Sequence, residues 1–428
     1  MVYMVAQIGY NGDVRFGLVT KERGFIRMQA HERFLKYIQF DSTSDVLSLT
    51  CPSSDKQKIL GAALVDEMLA MGISDARMDT DGYVYGSIAA NCDHQATIGL
   101  IAHMDTVDDA PALPMNDKVV EYKGEPIPLG DGSEYLDEAR YPALKNYKGK
   151  HLIVTDGKTI LGADDKAGIA EILTACERMI NDDSIKHGKI AIGFTPDEEI
   201  GRGADKFDVE AFAADFAYTV DGGELDSIQC ENFNGASASL TVNGTNIHPG
   251  SAKNKMKSAM LIANEFMNLL PPAETPAHTE NYEGFFHLTA MEGVVEKATL
   301  KYIIRDHDKQ IFEQRKQLFK DCADFLNKKY GAGTCEAAVK DSYFNMLECF
   351  KDKQFILDRA LAALAENGIV AHLDPIRGGT DGARLSYMGL PCPNLPTGGM
   401  NGHSRHECCC VESMETMVDV LIDICRAR

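Results

Sequence analysis

Several features that would place a protein quickly are scarce in this chain. No apolar run is long enough to span a bilayer, and the first thirty residues, MVYMVAQIGYNGDVRFGLVTKERGFIRMQA, lack the apolar core of a secretory leader. The expectation is a cytoplasmic protein with no membrane-spanning helix. Positive charge is short as well: 43 Lys and Arg stand against 64 Asp and Glu, a net charge of -21 and a pI ≈ 5.0. A field of that sign repels phosphate, which argues against nucleic acid or an anionic membrane surface as a partner. Paired cysteines are missing too. The 12 cysteines show no CxxC spacing and no framework pattern, so neither a zinc finger nor a disulfide scaffold fits. Adjacent Cys408, Cys409 and Cys410 cannot easily clamp one zinc together and read as inert or oxidisable thiols.

What is present is ordinary globular material, 44% hydrophobic and 25% charged over 428 residues, enough for two or three domains. Apolar residues at helical spacing mark helices near 31–40 and 56–71. An alternation then follows: strand 97–102, strand 152–155, helix 166–180, strand 190–194 and strand 216–220. Short apolar strands alternating with helices predict a mostly parallel sheet covered on both faces, an α/β fold. Ligands in such sheets gather at the carboxyl ends of the strands. Past Asn232 the order becomes strand, helix, strand, strand, helix, strand, which predicts a ferredoxin-like β-α-β-β-α-β domain inserted into the first. The expected division is 29–231 and 346–428 for the catalytic domain and 232–345 for the insert. Residues 1–28 match no clear element.

Five metal-ligand side chains fall after apolar runs or in Gly-rich turns and read together as a two-zinc site. They are His103 in IAHMDTV, Asp164 in LGADDKAG, Glu199 in FTPDEEIG, Asp221 in YTVDGG and His403 in GGMNGHSRHE. Asp105 stands two residues from His103, on the same side of an extended chain, where it could orient a metal-bound imidazole. A buried histidine capped by an acid is the plain alternative. Asp164 could bridge two cations through its two oxygens, while one aspartate of the Asp164–Asp165 pair caps the following helix. Glu198 and Glu199 would repel unless a cation separates their tasks. Glu199 would then ligate, and Glu198 would take a proton from a water whose pKa zinc draws toward about 7. Asp221 would join His103 on one metal and His403 would join Glu199 on the other. His406, three residues on, is the rival to His403. His248 in NIHPGSAK, Arg305 in YIIRDHD and Arg377 in IRGGTDG are candidate substrate contacts, although a turn residue and two surface ion pairs would be the default.

The motifs HMDTV, TDGKTILGADDKAG, FTPDEEIGRGA, YTVDGGE, NIHPGSAK, YIIRD and PIRGGTDGARLSYMGLPCPN resemble, in order and spacing, those of the peptidase T family. This is the tripeptide aminopeptidase branch of the dinuclear-zinc aminoacylase and carboxypeptidase superfamily, and the resemblance runs from about Gln29 to the C-terminus. It implies a dinuclear-zinc exopeptidase catalytic domain with a smaller lid, and two Zn2+ per subunit. One ion would sit on His103, Asp164 and Asp221, the other on Asp164, Glu199 and His403. Asp105 would orient His103 and Glu198 would be the general base. His248, Arg305 and Arg377 would hold the peptide, the arginines reading its terminal carboxylate. A cis peptide at Asp164–Asp165 and dimerisation through the lid's sheet are also implied, the latter undecided by composition. The sequence departs from the family at GGMNGHS, where an aromatic residue usually precedes the histidine, and at the cysteine run. Rival readings are a dipeptidase, carboxypeptidase or N-acyl-amino-acid deacylase of the same superfamily and, more remotely, a non-catalytic peptide-binding protein.

Overall fold

The fold is that of a computed structural model, which describes residues 28–427 and the backbone of two strands, Tyr3–Ile8 and Val14–Val19. Those two strands pair antiparallel with Tyr3 opposite Val19, which corrects the expectation that the first 28 residues form no element. The rest of that stretch lies outside the described residues.

Eight strands form the main sheet. Their order across it is His372–Ile376, Ser227–Asn232, Asn394–Pro396, Phe216–Gly222, Ile98–His103, Ile190–Thr195, Val84–Ile88 and Arg77–Met78. The centre is parallel: Phe216–Gly222 and Ile190–Thr195 both run alongside Ile98–His103, and Asn394–Pro396 follows Phe216–Gly222. Antiparallel pairings enter toward the edges. Side chains alternate faces along each central strand. Ile98, Leu100 and Ala102 enter the larger core, which also takes in residues of helices Ala30–Tyr37, Lys56–Ala70, Ala163–Asn181, Gln354–Glu366 and Val411–Cys425. Ile101 enters the smaller core on the opposite face with Tyr85, Phe207 and Phe212. Both faces are therefore covered, which is why these strands read as nearly continuous apolar runs.

One strand is not where the alternation puts it. His151–Val154 pairs with Lys118–Glu121 and Cys408–Cys410 in a separate antiparallel sheet. A buried apolar run names neither its neighbour nor its direction, so periodicity could not distinguish the two sheets. The three adjacent cysteines are a buried strand here, with Cys409 in the main core and Cys408 and Cys410 in a core beneath the second sheet. Burial raises each thiol's pKa, which removes the reactive thiolate.

The inserted segment is an antiparallel sheet in the order Phe285–Gly293, Lys297–Asp306, Asn234–Asn243 and Cys335–Tyr343. Helices Ala259–Leu269 and Lys309–Tyr330 cover one face and enclose Phe266, Leu300, Ile304, Phe312 and Phe319. The chain enters and leaves through two touching segments, locked by buried asparagines. Met346 N donates to Asn232 Oδ1 at 2.8 Å, Asn345 N to Asn234 Oδ1 at 3.0 Å, and Asn345 Nδ2 to the His307 carbonyl at 3.2 Å. Backbone groups that leave a sheet without a ladder partner are thus satisfied by side chains.

Candidate metal centre

Three strand ends and one helix start converge at the carboxyl edge of the parallel strands. His103 is the last residue of its strand and is buried. Its Nδ1 lies 3.0 Å from the Asp105 carbonyl and 3.4 Å from Asp105 Oδ1. A carbonyl only accepts, so Nδ1 carries the proton and Nε2 faces the cleft. There it lies 2.8 Å from Asp164 Oδ1 and 3.3 Å from Asp221 Oδ1. Asp221 is carried to the cleft by the adjacent parallel strand Phe216–Gly222.

Asp164 sits at the distorted start of helix Ala163–Asn181, joined to Asp165 by a cis peptide bond. The two aspartates divide the work. Asp165 Oδ1 accepts from Gly168 N at 3.2 Å, a capping contact, and its Oδ2 accepts from His103 N at 3.1 Å. Asp164 is left facing the cleft. Its Oδ1 meets His103, and its Oδ2 lies 3.4 Å from His403 Nε2. His403 Nε2 is also 2.9 Å from Glu199 Oε2. Two three-residue groups result, His103–Asp164–Asp221 and Asp164–Glu199–His403, each with ligand atoms close enough to hold a metal ion.

Glu198 and Glu199 form a short turn after strand Ile190–Thr195. Asp105, fully buried, accepts from both backbone N–H groups, at 2.9 Å from Glu198 and 3.2 Å from Glu199. One carboxylate thus touches the His103 ring and sets the Glu198–Glu199 turn. Asp197 before them has φ 60° and is anchored by Ser53 N at 2.7 Å and Gln57 Nε2 at 2.7 Å. His403 lies in the loop between strands Gly399–Met400 and Cys408–Cys410, also at φ 60°, with its side chain 50% exposed. His406 points elsewhere, to Glu134 at 3.1 Å beside the Tyr141 ring.

The electrostatics of the cluster are those of crowded carboxylates. Burial pushes Asp221 up to about 6 against the pull of His103, with Asp164 adding to the rise. Burial likewise pushes Glu199 up to about 7, against the pull of His403, and Glu198 goes well above the usual range through burial and then Asp221. Burial opposes ionisation of Asp164 too, but the hydrogen bonds from His103 and His403 hold it below the ordinary carboxylate value. The donor set fits zinc. Ligands about 2.1 Å from a tetrahedral ion stand roughly 3.4 Å apart, and the contacts of 2.8 to 3.4 Å described above approach that spacing. Glu199 Oε1, buried and without a hydrogen-bond partner among the described residues, is a further acceptor that a cation would satisfy. The adjoining cleft, about 180 Å³, is lined by Asp164, Asp221, Gln229, Thr397 and Asn401 among others.

The structure does not bring the three candidate peptide contacts to this cluster. His248 is exposed in a turn of the inserted segment, where its Nδ1 accepts from Gly250 N at 3.1 Å. Arg305 donates to the carbonyls of Ala236 and Ile304 at 3.1 and 3.0 Å and lies over the Tyr343 ring. Arg377 donates to the carbonyls of Asn281, Glu283 and Thr279 and packs on Phe233 and Phe285. Sequence reasoning missed Asp197 as an anchor, and it missed Glu407, a buried carboxylate bonded to the Asp164 segment. It also missed Lys166, whose pKa burial draws down to about 8, and Asp381, which burial raises to about 7 beside this cluster. Glu407 and Asp197 act on backbone far away in sequence, and spacing carries no signal of that.

Residues 230–334 match the peptidase dimerisation domain family. Peptidase T of Halothermothrix orenii is 52% identical over 396 residues, covering 92% of this chain and 97% of the relative. Peptidase T of Clostridium perfringens is 51% identical over 398 residues, with 92% and 98% covered. Among solved structures, aminopeptidase PepT from Bacillus cereus superposes with a TM-score of 0.73 at 23% identity, over 93% of this chain and 97% of that one. A dinuclear metal binding peptidase of the M20 family from Bacillus subtilis gives 0.62 at 13% identity, over 92% and 97%. Both share the fold.

Proposed function

This chain belongs to the peptidase T family, and on that premise we propose that it is an aminopeptidase that uses two zinc ions to remove the N-terminal residue of tripeptides. One observation carries the reading: the two oxygens of Asp164 face two separate ligand groups, one completed by His103 and Asp221, the other by Glu199 and His403. When bound, the ions supply Lewis acidity that polarises a peptide carbonyl and makes water acidic enough to attack near neutral pH. Asp105 holds the His103 ring with Nε2 toward the cleft and fixes the turn that carries Glu198. Glu198 takes the proton from the attacking water and delivers it to the leaving amine. Its contiguity with Glu199 keeps the base beside the ligand set.

The lid is assigned to 232–345, between catalytic segments 29–231 and 346–428. His248 and Arg305 are the residues proposed to meet the peptide. For Arg377, the contacts support holding the lid, and it reaches a peptide carboxylate only by giving up carbonyl partners. A homodimer through the lid is proposed from the dimerisation-domain match. Light scattering tests it: twice the chain mass of 46.9 kDa supports the dimer and the single mass refutes it. No helix among the described residues is long and apolar enough to cross a membrane. The cytoplasm is the proposed location, which cell fractionation checks.

The test of activity is a rate comparison on zinc-loaded protein with a tripeptide, its N-acetylated form, the matching dipeptide and a tetrapeptide. Fast release of the first residue from the free tripeptide alone is expected. Equal or faster cleavage of the acetylated peptide would overturn the aminopeptidase specificity and favour a deacylase or carboxypeptidase.

A further inference from the structure

Glu407 is 3% exposed and immediately precedes strand Cys408–Cys410. Among the described residues, all its side-chain hydrogen bonds go to one short segment distant in sequence. Oε2 accepts from Leu161 N at 2.8 Å and Gly162 N at 2.7 Å, and Oε1 accepts from Asp164 N at 3.0 Å. Gly162 has φ 75° and ψ 32°, a left-handed conformation that side-chain-bearing residues adopt at a cost. A left-handed residue within a turn directs neighbouring N–H groups to one side, as in the backbone concavities that hold anions. Here the anion is a side chain of the same protein.

The other end of Glu407 is fixed as well. Its own N–H donates to the Ser404 carbonyl at 3.1 Å, closing the turn that follows His403. Ser404 Oγ donates to the Asn401 carbonyl at 2.8 Å, and Asn401 Nδ2 donates to the His406 carbonyl at 3.1 Å. The loop that carries His403 is therefore internally braced, and Glu407 struts it against the segment that carries Asp164. Across that strut, His403 Nε2 and Asp164 Oδ2 stand 3.4 Å apart. Gly402 rests against Asp164, where an added Cβ would lie 3.4 Å from Oδ2.

The geometry points to Glu407 as the positioning residue for the Asp164–Glu199–His403 half of the site, holding the Asp164 backbone so that Oδ2 meets His403 and Glu199. This rests on the two-metal reading above. Asp164 Oδ1 faces His103 and Asp221, whose places are set by the parallel strands, so the other half depends less on the strut. Outer hydrogen-bond partners of ligands commonly govern metal affinity by about 10–100-fold, which sets the size of effect to look for.

The test titrates metal-free protein with cobalt(II), following the visible spectrum, and measures zinc affinity by chelator competition. Wild type is expected to take two ions per chain. Glu407→Gln, nearly the same shape but uncharged and with an amide N–H turned at backbone N–H groups, should bind one ion about 10–100-fold more weakly and the other, which shares Asp164, with a smaller loss. Glu407→Asp keeps the charge and should lose less. Gly162→Ala disturbs the same contacts from the backbone side and should weaken the same ion, which keeps the test open if Glu407→Gln does not fold. A purely structural carboxylate would lower thermal stability without changing affinity or spectrum in the folded protein. Two ions at wild-type affinity in folded Glu407→Gln, or in folded Gly162→Ala where the glutamine variant fails to fold, overturn the assignment. A wild type that takes no second ion overturns the two-metal reading, and this assignment with it.

Discussion

Glu198 and Glu199 are adjacent and chemically alike, their backbone N–H groups are held by the same carboxylate, and yet their side chains face different surroundings. Glu199 Oε2 lies against His403, whereas Glu198 belongs to neither ligand group and feels the carboxyl groups of Asp221, Asp381 and Glu199, opposed by His103. A base must stay off the metal to move protons, so the division predicts separable losses. Glu198→Ala should reduce turnover on the order of 10²–10⁴-fold, the usual contribution of a general base, with metal content measured by mass spectrometry unchanged. Glu199→Ala should lose metal as well as rate. Near-wild-type turnover in Glu198→Ala would remove it as the base. These two residues were legible because a DEE run after an apolar strand is locally unusual. His403 was less so, since nothing in HSRHE distinguishes its two histidines. The fold does so by sending His406 to Glu134. Glu407 could not be read at all, since its partners lie more than 240 residues earlier.

Between elements, the close approach that matters most is helix Ala163–Asn181 against strand Phe216–Gly222. Gly168, in the helix's first turns, faces the strand so tightly that a Cβ would stand 1.9 Å from the Val220 carbonyl oxygen and 2.5 Å from Asp165 Oδ1. Helix propensity alone favours alanine over glycine by about 1 kcal/mol. Overpacking into rigid backbone costs about 1–3 kcal/mol or more, and here one neighbour is backbone and the other a bonded carboxylate, so the steric term wins. Gly168→Ala is expected to lower the melting temperature. It should also weaken metal binding, because Val220 adjoins Asp221 and Asp165 adjoins Asp164. A variant as stable as wild type, with unchanged affinity, would mean the two elements are not locked together. Most elements were legible, within a few residues, from apolar spacing: helix 56–71 is Lys56–Ala70, and strand 190–194 is Ile190–Thr195. Pairing was less so. His151–Val154 has the same apolar character as the central strands, and its partners are settled by packing far from its own sequence.

At the scale of the whole molecule, the question is how firmly the inserted segment is held against the rest of the chain. The two crossing segments are cross-bonded through Asn232, Asn234 and Asn345, and neighbouring asparagines in this pattern left no local signature that composition or periodicity could detect. Arg377 adds a clamp from outside the inserted segment. Its guanidinium sits 5.0 Å from the Phe233 ring centroid and 5.7 Å from that of Phe285. Its Nη1 donates to the Asn281 and Glu283 carbonyls at 2.6 and 3.0 Å, and its Nη2 to Thr279 Oγ1 at 3.0 Å. A planar fork engaged by several carbonyls is hard to replace with lysine. Two tasks for Arg377 make different predictions about substrate. As a reader of the peptide carboxylate, its loss would slow cleavage of a free tripeptide and spare a C-terminally amidated one. As a lid clamp, its loss removes closure that both substrates need. The contacts favour the clamp, so Arg377→Ala should cut kcat/KM by a similar factor on both peptides, leave metal content intact, and raise protease sensitivity around 279–283. Arg377→Lys should behave closer to alanine than to wild type. A loss confined to the free acid would return Arg377 to the substrate.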